Sequence, residues 1–205
     1  MGDIVYSYGE SVYMNITNKC CCSCVFCIRS QKDAIGSASS LWHDREPTID
    51  EIIAAIDAFD LTDATEVVFC GYGEPTCRLD DMLAVAAEIR AKSPGMRIRL
   101  NTNGHSDLIN SRDTSPEYEG AFDIVSISLN TPTAEKYQAL CHSVYGEKSF
   151  DSLLAFAGRV KEFVPVVQLS AVKQTLNSEE IELCRKIAGE LGVTLRLRDY
   201  IPPET

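Results

Sequence analysis

The sequence predicts an α/β fold, an open and partial (β/α)6 barrel of mostly parallel strands. Three observations lead there. The hydrophobic pattern switches six times between a period of two and a period near 3.6, which reads as strand followed by helix. Helix-length connections between consecutive strands call for parallel neighbours and right-handed crossovers. The strands also alternate. One parity carries Asn15 and Thr17, Arg97, Arg99 and Asn101, Ser126, Ser128 and Asn130, Gln168 and Ser170, Arg196 and Arg198; the other is Met, Ile, Leu and Val throughout. A flat parallel sheet buried under helices on both faces would run continuously apolar. Alternation suits a curled sheet with helices on its convex face and a polar concave face. Six units fall short of the eight of a closed TIM barrel, so the barrel is of the TIM type but open.

In chain order, strands are expected at 12–18, 66–70, 97–102, 123–129, 166–172 and 194–199. Helices are expected at 47–60, 79–92, 133–140, 151–163 and 178–191, with short turns over 107–120. Thr48 and Asp50 offer caps to the first helix, whose Ile49, Ile52, Ile53 and Ile56 form one stripe. Gly192 ends the last helix. No linker, repeat or low-complexity tract divides residues 1–205, so a single domain is expected. The long irregular segment 28–46 is Ser/Gly-rich, reads as mobile, and is the natural lid.

The net charge of −11 argues against non-specific nucleic-acid binding and against anionic lipid. No apolar stretch is long enough to span a bilayer, and no signal peptide opens the chain. Five of the nine cysteines fall between Cys20 and Cys27. Thiols clustered in this way point to a reducing cytoplasm and to metal or redox chemistry rather than a disulfide framework.

Within that run lies C-x3-C-x2-C: Cys20, Cys24 and Cys27. Three thiolates can hold three irons of a cubane cluster and leave the fourth iron open to a ligand. The run follows a strand, which puts it at the carboxyl edge, where parallel α/β folds bind ligands. A structural zinc site is the plainer alternative. It needs four closed ligands, and no C-x2-C or His pair stands at a suitable distance to complete them. Cys70, Cys141 and Cys184 read as inert, buried thiols on apolar elements. After the second strand comes Gly71-Tyr72-Gly73-Glu74-Pro75. It lacks the third Gly or the Lys of a dinucleotide or phosphate loop.

The C-x3-C-x2-C run, with Phe26 before its last cysteine, resembles the signature of the radical SAM superfamily, and Gly71–Pro75 resembles that family's Gly-Gly-Glu motif. More narrowly, MNITNKC, LWHDREPT, VVFCGYGEPT, RLNTNG, VSISLN and PTAEKY resemble the TatD-associated radical SAM proteins. The resemblance implies a [4Fe–4S] cluster on Cys20, Cys24 and Cys27 and S-adenosylmethionine (SAM) on its open iron. It implies reductive cleavage of SAM, and a 5′-deoxyadenosyl radical that abstracts hydrogen from a substrate. Gly71, Gly73, Glu74 and Pro75 would receive the methionine end. Asn103, Ser128 and Asn130 would meet the ribose and carboxylate. Adenine would rest by the Phe26 backbone, near Tyr200 and Ile201. An electron donor such as flavodoxin or ferredoxin, and a link to a TatD-type nuclease, follow as expected partners. Cys21 and Cys22 depart from the pattern, and Cys21-x2-Cys24-x2-Cys27 is an alternative register.

His43 and His105 are further catalytic candidates, each following the cysteine run or a strand end, and His142 is weaker. Four strand arginines share the polar parity. Arg97 and Arg196, at the amino ends, would plug the barrel floor through carboxylate pairs. Arg99 and Arg198 would line the interior and meet an anionic guest, with Glu66 and Asp199 as neutralising partners. An activase acting on a partner protein, and a non-catalytic Fe–S or zinc module, are the rival functions.

Overall fold

The computed structural model describes residues 1–201. Among them, seven strands form one sheet in the order of the sequence. β1 (Val5–Tyr8) and β2 (Ser11–Met14) make an antiparallel hairpin. From β2, the sheet continues in parallel through β3 (Glu66–Phe69), β4 (Arg97–Thr102), β5 (Ile124–Ser128), β6 (Val166–Val172) and β7 (Thr194–Arg198). β1 and β7 each have one neighbour, so the sheet stays open.

The hairpin corrects the expected first strand. Residues 12–18 do not form one strand. Gly9, at φ 61°, closes a tight turn between Tyr8 and Ser11, and the N-terminus adds a strand of its own. The strand ends at Met14, and beyond it the Asn15 side chain ties the loops together. Asn15 donates to Asp3 O and Leu41 O and accepts from Tyr72 N.

The helices are α1 (Ile49–Asp57), α2 (Leu79–Lys92), α3 (Ser106–Asn110), α4 (Ala134–Cys141), α5 (Lys148–Val160) and α6 (Ser178–Glu190). α1 begins where Thr48 and Glu51 exchange hydrogen bonds as a capping box. α5 runs 148–160 where 151–163 was expected. Over 107–120 the chain makes α3 and a 3-10 turn at Ser115–Tyr118.

Apolar strand residues Met14, Ile98, Leu100, Val125, Ile127 and Leu169, with Leu129 just after β5, are fully or nearly fully buried with Ile52 and Ile56 of α1, Met82, Val85 and Ile89 of α2, and Leu153, Phe156 and Val160 of α5. Each such side chain contributes roughly 1.5–3 kcal/mol by leaving water. The opposite parity sits in register across the sheet: Asn101 beside Ser126, Ser126 beside Gln168, Ser128 beside Ser170. Asn101, Ser128, Gln168 and Arg198 keep partial exposure, so this polar face is open to water.

Segment 28–46 is not a free lid. Ser37 N donates to Ser7 O, and Asp3 accepts from Ser39 N. Leu41 is 1% exposed, packed with Tyr6 and Tyr72, and the Tyr72 hydroxyl donates to Lys32 O. The hairpin that the sequence reading lacked is what anchors the segment.

Candidate functional site

The cysteine loop leaves β2 through residues 15–19 and is stitched to the end of α4. Ser23 N donates to Cys141 O at 2.9 Å, Val25 N to Leu140 O at 2.9 Å, and Val144 N to Cys21 O at 3.0 Å. The last carbonyls of a helix have no donors within the helix, so α4 offers an acceptor edge. His142 ends that helix in a left-handed conformation, φ 45°. Arg29 clamps the loop from the other side through Cys22 O at 3.2 Å.

All nine cysteines are free thiols. Cys20, Cys24 and Cys27 are partly exposed. Cys22 donates to the Cys20 sulfur and holds that thiol below the usual range. Cys24 donates to Cys141, which with burial pushes Cys24 up. Burial raises Cys27, and a charge on Cys20 raises it further. Among the described residues, the metal-capable donors gathered within 4.8 Å of one another are Cys21, Cys22 and His105. Soft thiolates suit iron–sulfur clusters, and the run supplies five of them in eight residues, so the donor chemistry of the loop fits a cluster.

The 71–75 loop presses onto the segment entering the cysteine run. A Cβ on Gly71 would lie 2.2 Å from Asn15 Oδ1, and one on Gly73 would lie 2.3 Å from Thr17 O. Glu74 N donates to Lys19 O at 2.7 Å. The two glycines are thus required for backbone contact between the loops that follow β2 and β3. Glu74 is buried, and burial raises its carboxyl pKa against four hydrogen bonds. Oε1 accepts from Thr76 N, Thr76 Oγ1 and Thr102 Oγ1; Oε2 accepts from Asn103 N at 2.7 Å. A carboxylate offers about four acceptor positions, two per oxygen, so Oε2 keeps one free. Pro75 starts the 3-10 turn Pro75–Arg78 that Glu74 caps.

Asn103 sits between the two loops, its amide 3.2 Å from the Cys21 sulfur. His105 is fully buried; Nδ1 lies 3.4 Å from Cys21 Sγ and Nε2 lies 3.2 Å from the Tyr137 hydroxyl. Asn130, at φ 59°, places its amide 3.6 Å from Cys141 Sγ and its carbonyl 3.5 Å from Arg198. Ser128 lies one residue pair in from that edge, beside Ser170. Phe26 packs on the core beside the loop. The Tyr200 hydroxyl reaches Gln31, which brings the chain after β7 to the turn that follows the cysteine run. His43 is elsewhere: its Nε2 lies 2.8 Å from Asn15 O, holding the 41–43 turn to the end of β2.

Four sequence expectations are corrected. Arg99 is locked to Glu66 at 2.6 Å, with side chains 7% and 14% exposed, toward the amino end of β3. Arg97 and Arg196 are exposed and pair with no carboxylate among the described residues, so they plug nothing. Among the described residues Asp199 neutralises none of the arginines and takes a hydrogen bond from Gln174. Cys141 and Cys70 are not bystanders: Cys141 accepts from Cys24, and partly exposed Cys70 bonds Asn101 and feels the charges of Arg198 and Arg99. Cys184 is buried on the inner side of α6, as expected. Cys141 and Tyr137 carried no site signal in the sequence, because α4 reaches the cysteine loop only through tertiary contact.

Fold and site together define an open α/β barrel with a thiol-rich loop at the carboxyl edge of its parallel strands. The profile of the Radical SAM superfamily matches residues 14–187, and the chain belongs to that family, whose cofactors are a [4Fe–4S] cluster and SAM. A comparison with the curated proteins finds no match. Among solved structures, the chain is similar to a radical SAM methyltransferase from Sphaerobacter thermophilus, with 17% identity, TM-score 0.64, and 94% of this chain covering 57% of that one. It is also similar to Streptococcus suis SuiB bound to precursor peptide SuiA, with 16% identity, TM-score 0.70, and 96% covering 40%. The third is methylornithine synthase (PylB), with 14% identity, TM-score 0.61, and 93% covering 53%. At these identities the likeness is one of fold. The chain spans 40 to 57% of the length of these three proteins. Among the described residues, no helix is long and apolar enough to cross a membrane.

Proposed function

We propose that this chain is the core of a radical SAM enzyme acting on an anionic substrate. The observation that carries the reading is the meeting of two loops: the C-x3-C-x2-C run and Gly71–Pro75, joined by Glu74 N to Lys19 O. Cys20, Cys24 and Cys27 would hold the cluster. When bound, the cluster supplies the electron that splits SAM into methionine and the 5′-deoxyadenosyl radical, which takes hydrogen from the substrate. The free position on Glu74 Oε2 accepts the SAM ammonium, Gly71 and Gly73 let the loop come close enough to present it, and Pro75 fixes the turn. Asn103 and Asn130 orient SAM from the strand ends, with Ser128 below. Phe26 and Tyr200 border the adenine. The α4 seam keeps the cysteine loop rigid. Segments such as RLNTNG and PTAEKY support the finer placement among TatD-associated radical SAM proteins, with a TatD-type nuclease as functional partner. A flavodoxin or ferredoxin would supply the electron in the cytoplasm. SuiB, crystallised with its precursor peptide, supports a peptide-directed alternative.

A single-ion zinc site is the second reading, favoured by the Cys21–Cys22–His105 group. Anaerobic reconstitution separates the two. About four irons per chain are expected, lost in Cys20→Ala, Cys24→Ala and Cys27→Ala and kept in Cys21→Ala and Cys22→Ala. With dithionite and SAM, 5′-deoxyadenosine should be released. One zinc and no iron, lost in Cys21→Ala, would establish the second reading instead.

A further inference from the structure

Arg198 ends β7 on the concave parity, in register with Val172 and one step from Asn130. Its Nε is buried with no hydrogen-bond partner, and its one side-chain hydrogen bond among the described residues goes to Asn130 Oδ1 at 3.5 Å, the outer limit of a hydrogen bond. No carboxylate pairs with it among the described residues. A chain with 30 acidic and 19 basic residues does not lack carboxylates. On the same face Arg99 has Glu66. A half-buried guanidinium left without a counter-charge is costly, and burial already works against its protonation. Nearby donors are idle as well: neither the Ser128 nor the Ser170 hydroxyl makes a hydrogen bond among the described residues, and both lie on the polar face below Asn130. The position belongs to the cysteine site. Arg198 contacts Asn130, Asn130 contacts Cys141, and Cys141 O accepts from Ser23 N of the cysteine loop.

We infer that Arg198, with the Ser170 hydroxyl on the same face, forms an anion subsite beside the SAM residues Asn130 and Ser128 that takes a carboxylate or phosphate group of the substrate. The planar fork of arginine suits either group, and apart from the long bond to Asn130 its donors have no partner among the described residues. The inference deepens the functional reading above and rests on it for the identity of the guest. It does not rest on it for the anion, because the subsite belongs to the polypeptide and not to the cluster.

The test uses the full chain, first without cluster. Inorganic phosphate and succinate are titrated at constant ionic strength against chloride, and thermal stability is followed. Both should stabilise the native protein. Arg198→Met should fold, melt no lower than native in chloride because an unpaired charge has gone, and bind both anions about tenfold more weakly or worse, the scale of a charge-assisted contact. Arg198→Lys should keep phosphate better than succinate, since it keeps the charge and loses the fork. Arg196→Met, at an exposed arginine of the same strand, should behave as native. Reconstituted Arg198→Met should bind SAM by equilibrium dialysis within about twofold of native, since no charge-assisted contact to SAM is removed. Native protein that binds neither anion, or Arg198→Met and Arg198→Lys that both bind them as native does, overturns the inference. Loss of SAM binding in Arg198→Met also overturns it, by giving the arginine to the SAM carboxylate. A native protein that takes up no cluster but shows the Arg198-dependent anion effect leaves the subsite standing and removes the radical SAM reading.

Discussion

Arg99 and Arg198 leave the same face of the sheet and meet different surroundings. Their inward parity was legible, because the alternate positions are apolar and packed under helices. Their partners were not, since Glu66 lies 33 residues from Arg99 and reaches it only across the β3–β4 pairing. Arg99→Met leaves the largely covered Glu66 without its cation, with only the Ser11 hydroxyl, and should cost up to about 3 kcal/mol in urea unfolding. Adding Glu66→Leu should restore most of that, because the stranded charge is gone. A single variant as stable as native would mean that the pair holds nothing. Gly71 and Gly73 make a similar point. The spacing marked them as a site, whereas the contact that demands glycine is the approach of Asn15 and Thr17.

The first helix could be read almost to the residue. Thr48 was a visible cap, and the reciprocal bond from Glu51 completes the box. Arg45 adds two contacts to the same carboxylate and holds its pKa at about 2. The folded value lies below the unfolded value of about 4.3. The stabilisation is therefore fully present above the unfolded value and is lost as pH falls towards about 2. Urea midpoints of native protein and Glu51→Gln should differ at neutral pH and converge near the folded value. A gap that stays constant on acidification would show that the charge of Glu51 is not what matters. The seam between α4 and the cysteine loop was not visible in the same way. Its hydrogen bonds are backbone to backbone, and the sequence carries no mark of them.

At the scale of the molecule the sheet is sequential and open, with β1 and β7 as edges. Strands hydrogen-bonded on both sides open only with the whole domain, whereas edge strands fray. Native-state hydrogen exchange should therefore rank β4, β5 and β6 slowest and β1 and β7 fastest. Protection of β7 equal to that of β5 would show that something covers the edge. The net charge of −11 leaves little attraction for a nucleic-acid backbone, so the unpaired cation of the interior stands out against an acidic exterior.

The sequence by itself determined the strand–helix order, the polar and apolar faces of the sheet, the cysteine run and the loop that meets it. Those features are local: periodicity follows from which side of an element is wet, and ligand spacing follows from a short loop. Tertiary structure alone decided the N-terminal hairpin, the anchoring of 28–46, the recruitment of Cys141 and Tyr137 beside the cysteine loop, and which interior arginine found a carboxylate. Each of these depends on contacts between segments distant in the chain, where pairing is set by the register and curvature of the sheet and no single segment carries the information.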